Sequence, residues 1–303
     1  MIMAARTPLF VSTDLEHSQI ETNGIRLHIV QSGPANGPPV ILLHGFPEFW
    51  YGWRHQIGPL AAAGYRLLVP DQRGYNRSQK PEGVAAYRAG VLVGDLFGLM
   101  QTLDIQRASL VGHDWGAAVA WWAASAHPER FDRLVILNVP HPKVMARTLR
   151  TSWRQQLRSW YIAFFQTPWL PEALLWAGDF AVMKSALQRS GLRHTFSAEE
   201  LAVYQQAWAQ PGALTGMLNW YRAAARHPAR ISLKRKIQVP TLMIWGARDV
   251  ALGWEMAQPS IEMCEDGRLV TFETAGHWVQ HEQAAQVNRL LLDFLSGTGE
   301  GKK

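Results

Sequence analysis

One cysteine, Cys264, stands in 303 residues, which excludes an intrachain disulfide and a cysteine-based metal cluster and leaves that thiol a bystander. No apolar run approaches the roughly 18 residues of a membrane span. The opening Met1-Ile2-Met3-Ala4-Ala5-Arg6 also lacks the apolar core of a secretory leader, so the expectation is a cytoplasmic chain without a transmembrane segment. Repeats, low-complexity tracts and extended linkers are missing too. Cationic runs are short, and Lys234-Arg235-Lys236 is too brief to argue for nucleic acid. What is present is apolar mass: 48% of the residues are hydrophobic, enough to bury the core of one large α/β domain with an insertion.

The net charge of +6 is unevenly spread, with 14 Lys and Arg against 4 Asp and Glu between His141 and Lys236. Arg147, Arg150, Arg154 and Arg158 recur at spacings of three and four, which predicts one basic helix face. Such a face is ordinarily solvated, the alternative being an acidic partner or a membrane surface.

Short apolar runs, as in strands buried on both sides of a parallel sheet, mark seven candidates: 27–30, 40–43, 67–69, 109–111, 134–137, 242–245 and 269–272. Helical patterns alternate with the later ones at 53–63, 91–103, 115–126 and 284–295. This βαβ rhythm predicts a doubly wound, mostly parallel sheet. It stops after Pro142, where Trp, Leu and Ala recur with helical spacing up to about Arg235. The expected organisation is therefore an α/β core over 1–140 and 236–303, with a helical cap inserted at 141–235.

The chemistry starts at Val111-Gly112-His113-Asp114-Trp115-Gly116, read as strand, sharp turn and helix. Glycines flank the turn because a tight backbone leaves no room for Cβ atoms. The segment resembles the G-x-nucleophile-x-G turn of α/β-hydrolases, with a carboxylate expected at the mouth of the sheet. A serine there suits esters or amides; Asp114 suits SN2-type attack on a saturated electrophilic carbon, that of an epoxide or one bearing halogen.

Such a nucleophile needs a base to activate water, and the base needs an orienting acid. Asp249 follows the candidate strand 242–245 and His277 follows 269–272, which brings both to the carboxyl edge of the sheet in the chain order nucleophile, acid, histidine. His277 and His281 also form an H-x-x-x-H pair, but no third ligand recurs nearby and no metal site is expected. The oxyanion hole is assigned to the backbone N–H groups of Phe46, in His44-Gly45-Phe46-Pro47, and of Trp115; Pro47 has none to give.

The chain resembles the epoxide hydrolases of the α/β-hydrolase superfamily from about Glu21 to Leu295. The likeness lies in His44-Gly45-Phe46-Pro47-Glu48, Asp71-Gln72-Arg73-Gly74-Tyr75, Gly112-His113-Asp114-Trp115-Gly116 and Gly276-His277-Trp278. It implies two cap tyrosines that donate hydrogen bonds to the epoxide oxygen. Tyr161, ahead of Phe165-Gln166-Thr167-Pro168, and Tyr221, in Leu218-Asn219-Trp220-Tyr221-Arg222, match the family's patterns. It further implies a cofactor-independent hydrolase, a monomer or homodimer, that turns an apolar epoxide into a vicinal diol through an ester on Asp114.

Phe46, Pro47, Trp115, Phe165 and Trp278 are the candidate pocket walls, and the tryptophans near the motifs, Trp50, Trp169 and Trp220 included, suggest an aromatic lining. Two other readings remain open. A dehalogenase uses the same nucleophile, and Trp115 matches a halide-binding tryptophan, although Trp115 and Ala118 stand where fluoroacetate dehalogenases carry arginines. A non-catalytic receptor of this fold is the other.

Overall fold

The computed structural model describes residues 15–229 and 236–297. Its strands are β1 (Glu16–Thr22), β2 (Ile25–Ser32), β3 (Pro39–Leu43), β4 (Arg66–Pro70), β5 (Ala108–His113), β6 (Phe131–Leu137), β7 (Thr241–Gly246) and β8 (Gly267–Phe272). They form one sheet in the order β1-β2-β4-β3-β5-β6-β7-β8. The β1–β2 and β2–β4 pairs are antiparallel and the others parallel. In β5 and β7 every residue is buried, as strands covered on both faces require.

The seven strands expected from apolar runs fall within β2 to β8. β1 escaped that reading because only Ile20 and Thr22 are buried in its seven residues, the pattern of an edge strand. Its link to β2 is Asn23-Gly24, both at positive φ (46° and 75°), as a two-residue hairpin turn requires.

α1 (Arg54–Ala62) and α12 (Ala284–Leu295) cover one face of the sheet through Ile57, Leu60, Val287 and Leu291. α2 (Ala89–Thr102) and α3 (Trp115–Ala126) cover the other, through residues such as Leu96, Met100 and Ala120. Between β6 and β7 the chain is helical: α4 (Pro142–Thr151), α5 (Trp153–Arg158), α6 (Trp160–Phe164), α7 (Leu170–Ser190), α8 (Ala198–Trp208) and α9 (Ala213–Arg226). The far end of the expected cap, with Lys234 and Arg235, lies outside the described residues. α10 (Ala257–Ile261) and α11 (Val279–Glu282) are short pieces of the returning core. Among the described residues no helix is long and apolar enough to cross a membrane.

The single basic helix is corrected. Arg147 and Arg150 lie on α4, and Arg154 and Arg158 on α5. Ser152 separates the two helices with extended backbone (φ −114°, ψ 108°) and caps α5 by accepting a hydrogen bond from Gln155 N–H at 3.3 Å, and serine is a preferred residue for that position. A second break lies inside α7, where Gly178, Asp179 and Phe180 are all left-handed (φ 58°, 59° and 61°). The helical segment is fastened to the core by the Arg54–Glu200 ion pair at 2.8 Å and by the indoles of Trp208 and Trp220, which donate to Pro47 O at 2.6 Å and Arg73 O at 2.9 Å.

Candidate active site

β5 ends at His113, and Asp114 follows with φ 49° and ψ −125° before α3 begins at Trp115. Positive φ is costly for a residue with a Cβ and is held only where neighbours over-determine it. The neighbours are packed tightly here: a Cβ on Gly116 would lie 2.1 Å from the Leu43 carbonyl oxygen, and one on Gly45 would lie 2.2 Å from the Asp114 Cβ. The glycines let the turn press against β3 and the loop after it.

The Asp114 carboxylate accepts a hydrogen bond from Phe46 N–H at 2.6 Å, while its other oxygen faces His277 Nε2 at 3.6 Å. Burial opposes the Asp114 charge. His277, His113 and the Phe46 N–H outweigh it and hold the carboxyl below its ordinary range. His277, on the loop after β8, donates through Nδ1 to Asp249 Oδ2 at 2.7 Å. Burial works against a charged imidazole, but the Asp249 and Asp114 carboxylates raise it well above the usual histidine value.

Asp249 comes from the loop after β7. Its Oδ1 accepts from Ala251 N–H and Leu252 N–H at 2.8 and 2.9 Å, and its Oδ2 accepts from Asn138 Nδ2 at 2.8 Å. Asn138, not singled out from sequence, follows β6 at the same sheet edge with φ 53° and accepts Gly246 N–H at 3.0 Å. Its amide thereby joins the loops that carry Asp249 and His277.

Tyr161 on α6 and Tyr221 on α9 stand with ring centroids 5.8 Å apart and line the cavities that reach Asp114. Burial pushes both phenols up and the Asp114 charge adds to it, so both stay protonated and able to donate. Two cavities meet at Asp114, Tyr161 and Tyr221. One, about 290 Å³, is lined by Phe46, Pro47, Phe165 and Trp278 and carries the exposed Trp160, Leu174, Val182 and Val250 at its rim. The other, about 460 Å³, runs past Trp115 and Trp122 to α4 and α9, where Ala146, Ala224 and Ala225 face solvent.

The wider aromatic lining needs correction. Trp220 faces Arg73, Trp50 packs edge-on against His17, and Trp169 is 83% exposed; none of the three lines either cavity. Trp122 and Trp160 do, although neither was singled out from sequence.

The alpha/beta hydrolase fold family matches residues 38–284. The chain is 46% identical to the AB hydrolase superfamily protein YfhM of Bacillus subtilis, over 91% of this chain and 96% of that one. It is 37% identical to epoxide hydrolase A of Mycobacterium tuberculosis, over 92% of this chain and 96% of that protein. A variant of an epoxide hydrolase from Bacillus megaterium superposes with a TM-score of 0.84 at 30% identity, covering 92% of this chain and all of that one. The chain belongs to the epoxide hydrolases of the α/β-hydrolase superfamily. Another Bacillus megaterium variant structure, with a TM-score of 0.83 and 29% identity, holds its product, a naphthyloxy-propanediol.

Within this hydrolase fold, Glu48 of the His-Gly-Phe-Pro-Glu loop has partners that the sequence did not reveal. Buried beneath the site, it accepts Tyr204 Oη at 2.6 Å, His281 Nε2 at 2.8 Å and Gln280 Nε2 at 3.1 Å. His113 lies 3.4 Å from the same carboxylate and donates through Nε2 to the His277 carbonyl at 2.9 Å. The H-x-x-x-H pair is thus divided between two carboxylates, His277 on Asp249 and His281 on Glu48.

Proposed function

We propose that the chain hydrolyses apolar epoxides to vicinal diols through a covalent ester on Asp114. The observation that carries this reading is the opposition across one cavity of an ionised carboxylate at the nucleophile turn and two protonated phenols. An epoxide between them has a carbon to be attacked and an oxygen to be protonated. Asp114 displaces the ring oxygen from carbon while Tyr161 and Tyr221 donate hydrogen bonds to the departing alkoxide, giving an alkyl ester. His277, oriented by Asp249, removes a proton from water; the hydroxide adds to the ester carbonyl, and the Phe46 and Trp115 N–H groups stabilise the oxyanion before the diol leaves. One of those donors, Phe46 N–H, already rests on Asp114 Oδ1.

The two arms support substrates with apolar bulk on either side of the ring, and the aryl ether diol held by the Bacillus megaterium relative is of that kind. Single-turnover oxygen labelling tests the scheme. With enzyme in excess over a glycidyl aryl ether in heavy-oxygen water, the first diol is expected to be largely unlabelled while the peptide containing Asp114 gains label. A fully labelled first diol would mean that water attacks the epoxide directly.

A further inference from the structure

Five tryptophans of this chain face water: Trp153, Trp160, Trp169, Trp176 and Trp254, each 57–83% exposed. Four lie on α5, α6 and α7 or at their ends, and Trp254 sits beside α5 where Arg158 reaches Glu255 at 4.0 Å. Leu157 and Leu170, exposed by 63% and 57%, extend the same run of helices. The apolar surface continues inward, since Trp160, Leu174, Val182 and Val250 are at once exposed and part of the 290 Å³ arm. Scattered exposed apolar residues need no explanation; four indoles exposed along three successive helices, one of them lining the mouth of an apolar cavity, do.

Charge narrows what this rim fits. Arg147, Arg150 and Arg154 have no carboxylate within ion-pair distance among the described residues. Three of the four acids of the helical segment are engaged elsewhere, Glu172 by Arg222, Asp179 by Lys184 and Glu200 by Arg54. Apposing two copies through this rim would bring Arg147, Arg150 and Arg154 of one against those of the other, with no carboxylate of the described residues to pair them. Indoles and leucines beside unpaired arginines suit the headgroup boundary of a lipid layer, where tryptophan is favoured and basic side chains meet anionic headgroups.

We propose that the rim formed by α4, α5, α6 and the start of α7 docks on an anionic lipid surface, so that apolar substrate passes from the lipid into the 290 Å³ arm. Docking stands on the exposed surface alone; the passage of substrate rests on the epoxide reading above. Each unpaired arginine near the surface is expected to strengthen binding by roughly fivefold at moderate salt.

The test is flotation of the purified full chain with vesicles of phosphatidylcholine alone or of equimolar phosphatidylcholine and phosphatidylglycerol, with no substrate present. Binding is expected on the mixed vesicles, to weaken with salt, and to shift tryptophan emission to the blue. The variant Trp153→Ser/Trp169→Ser/Trp176→Ser should lose binding at least tenfold, and Arg147→Gln/Arg150→Gln/Arg154→Gln should lose the preference for anionic vesicles. Both sets of positions are exposed and outside the cavity, so hydrolysis of a water-soluble epoxide without vesicles should persist in each variant. Equal flotation of wild type and variants, or none on either vesicle, overturns the docking. So does a wild-type dimer, seen by light scattering, that the serine variant splits, because the rim then belongs to a second copy. Vesicle binding by a chain that hydrolyses no epoxide would leave docking intact and remove the epoxide reading instead. If wild type and serine variant hydrolyse a vesicle-dissolved epoxide equally fast, passage from the lipid is wrong.

Discussion

Asp114 stays ionised in a partly buried turn because His277, His113 and the Phe46 N–H favour the anion, and His277 in turn keeps its proton because Asp249 and Asp114 are charged. Esterification of Asp114 would remove one of those two charges, so the imidazole's affinity for its proton drops at the stage that needs a base. The rate of ester formation should therefore be nearly flat with pH on the acid side of neutrality, down to the depressed range of Asp114. Ester hydrolysis should rise with pH as His277 in the ester loses its proton. Rapid-quench mass spectrometry of the intact protein separates the steps; a hydrolysis rate that falls as pH rises contradicts this assignment. Tyr161→Phe and Tyr221→Phe should each slow ring opening by roughly ten- to a thousandfold, the loss of one transition-state hydrogen bond of about 1.5–4 kcal/mol. Unchanged alkylation rates in both would make the tyrosines packing residues. The groups these tests address were legible because each stands at a fixed point of the chain: after a strand, or inside a motif. Asn138 was not, because an asparagine after a strand carries no signature until its amide is seen to reach Asp249 and Gly246 together.

Elements follow the same division between local and non-local causes. β2 to β8 could be read because burial on both faces forces apolar runs, whereas β1 takes its place from the Asn23-Gly24 turn and from pairing with β2. The left-handed stretch at Gly178–Phe180 has no composition signal beyond one glycine, for Phe180 is an unusual residue at φ 61°. It stays there with its ring buried against Trp176 and Trp208, at centroid distances of 5.0 and 5.9 Å. α8, in contrast, announces its start: Ser197 and Glu200 form a reciprocal capping box, with Glu200 N–H donating to Ser197 Oγ at 3.2 Å and Ser197 N–H to Glu200 Oε2 at 2.8 Å. Ser197→Ala should cost about 1 kcal/mol and lower the melting temperature by roughly 2–4 °C. Because Glu200 also holds Arg54, activity should survive in Ser197→Ala and decline in Glu200→Ala. Thermal unfolding followed by activity assay distinguishes the two.

At the scale of the whole molecule, acid should act on stability through histidines kept neutral. Burial lowers His55 to about 3, and His141 and His281 to about 4. Unfolded imidazoles bind protons below about pH 6.5, so stability should fall as pH drops from there towards 4, each of the three adding up to about 1.4 kcal/mol per pH unit. His277 acts in the opposite sense, since its raised affinity stabilises the fold below about pH 6.5 and that contribution is lost as pH rises through its folded value. Urea midpoints between acid and neutral pH measure the balance. His141→Phe, at a ring packed edge-on against Trp121, should flatten the slope; an unchanged slope would mean that His141 titrates normally. The two arms that converge on Asp114 carry one more consequence. With Trp160 exposed at one mouth and Ala146, Ala224 and Ala225 at the other, each arm reaches solvent, so a product need not leave by the route its parent took. A chamber with two doors can take in at one while it lets out at the other. If the two mouths serve as separate lanes, obstructing one with Ala146→Trp should cut steady-state turnover more than it slows the first alkylation by a substrate small enough to sit in the 290 Å³ arm; equal losses in both would mean that the obstructed arm serves substrate binding alone.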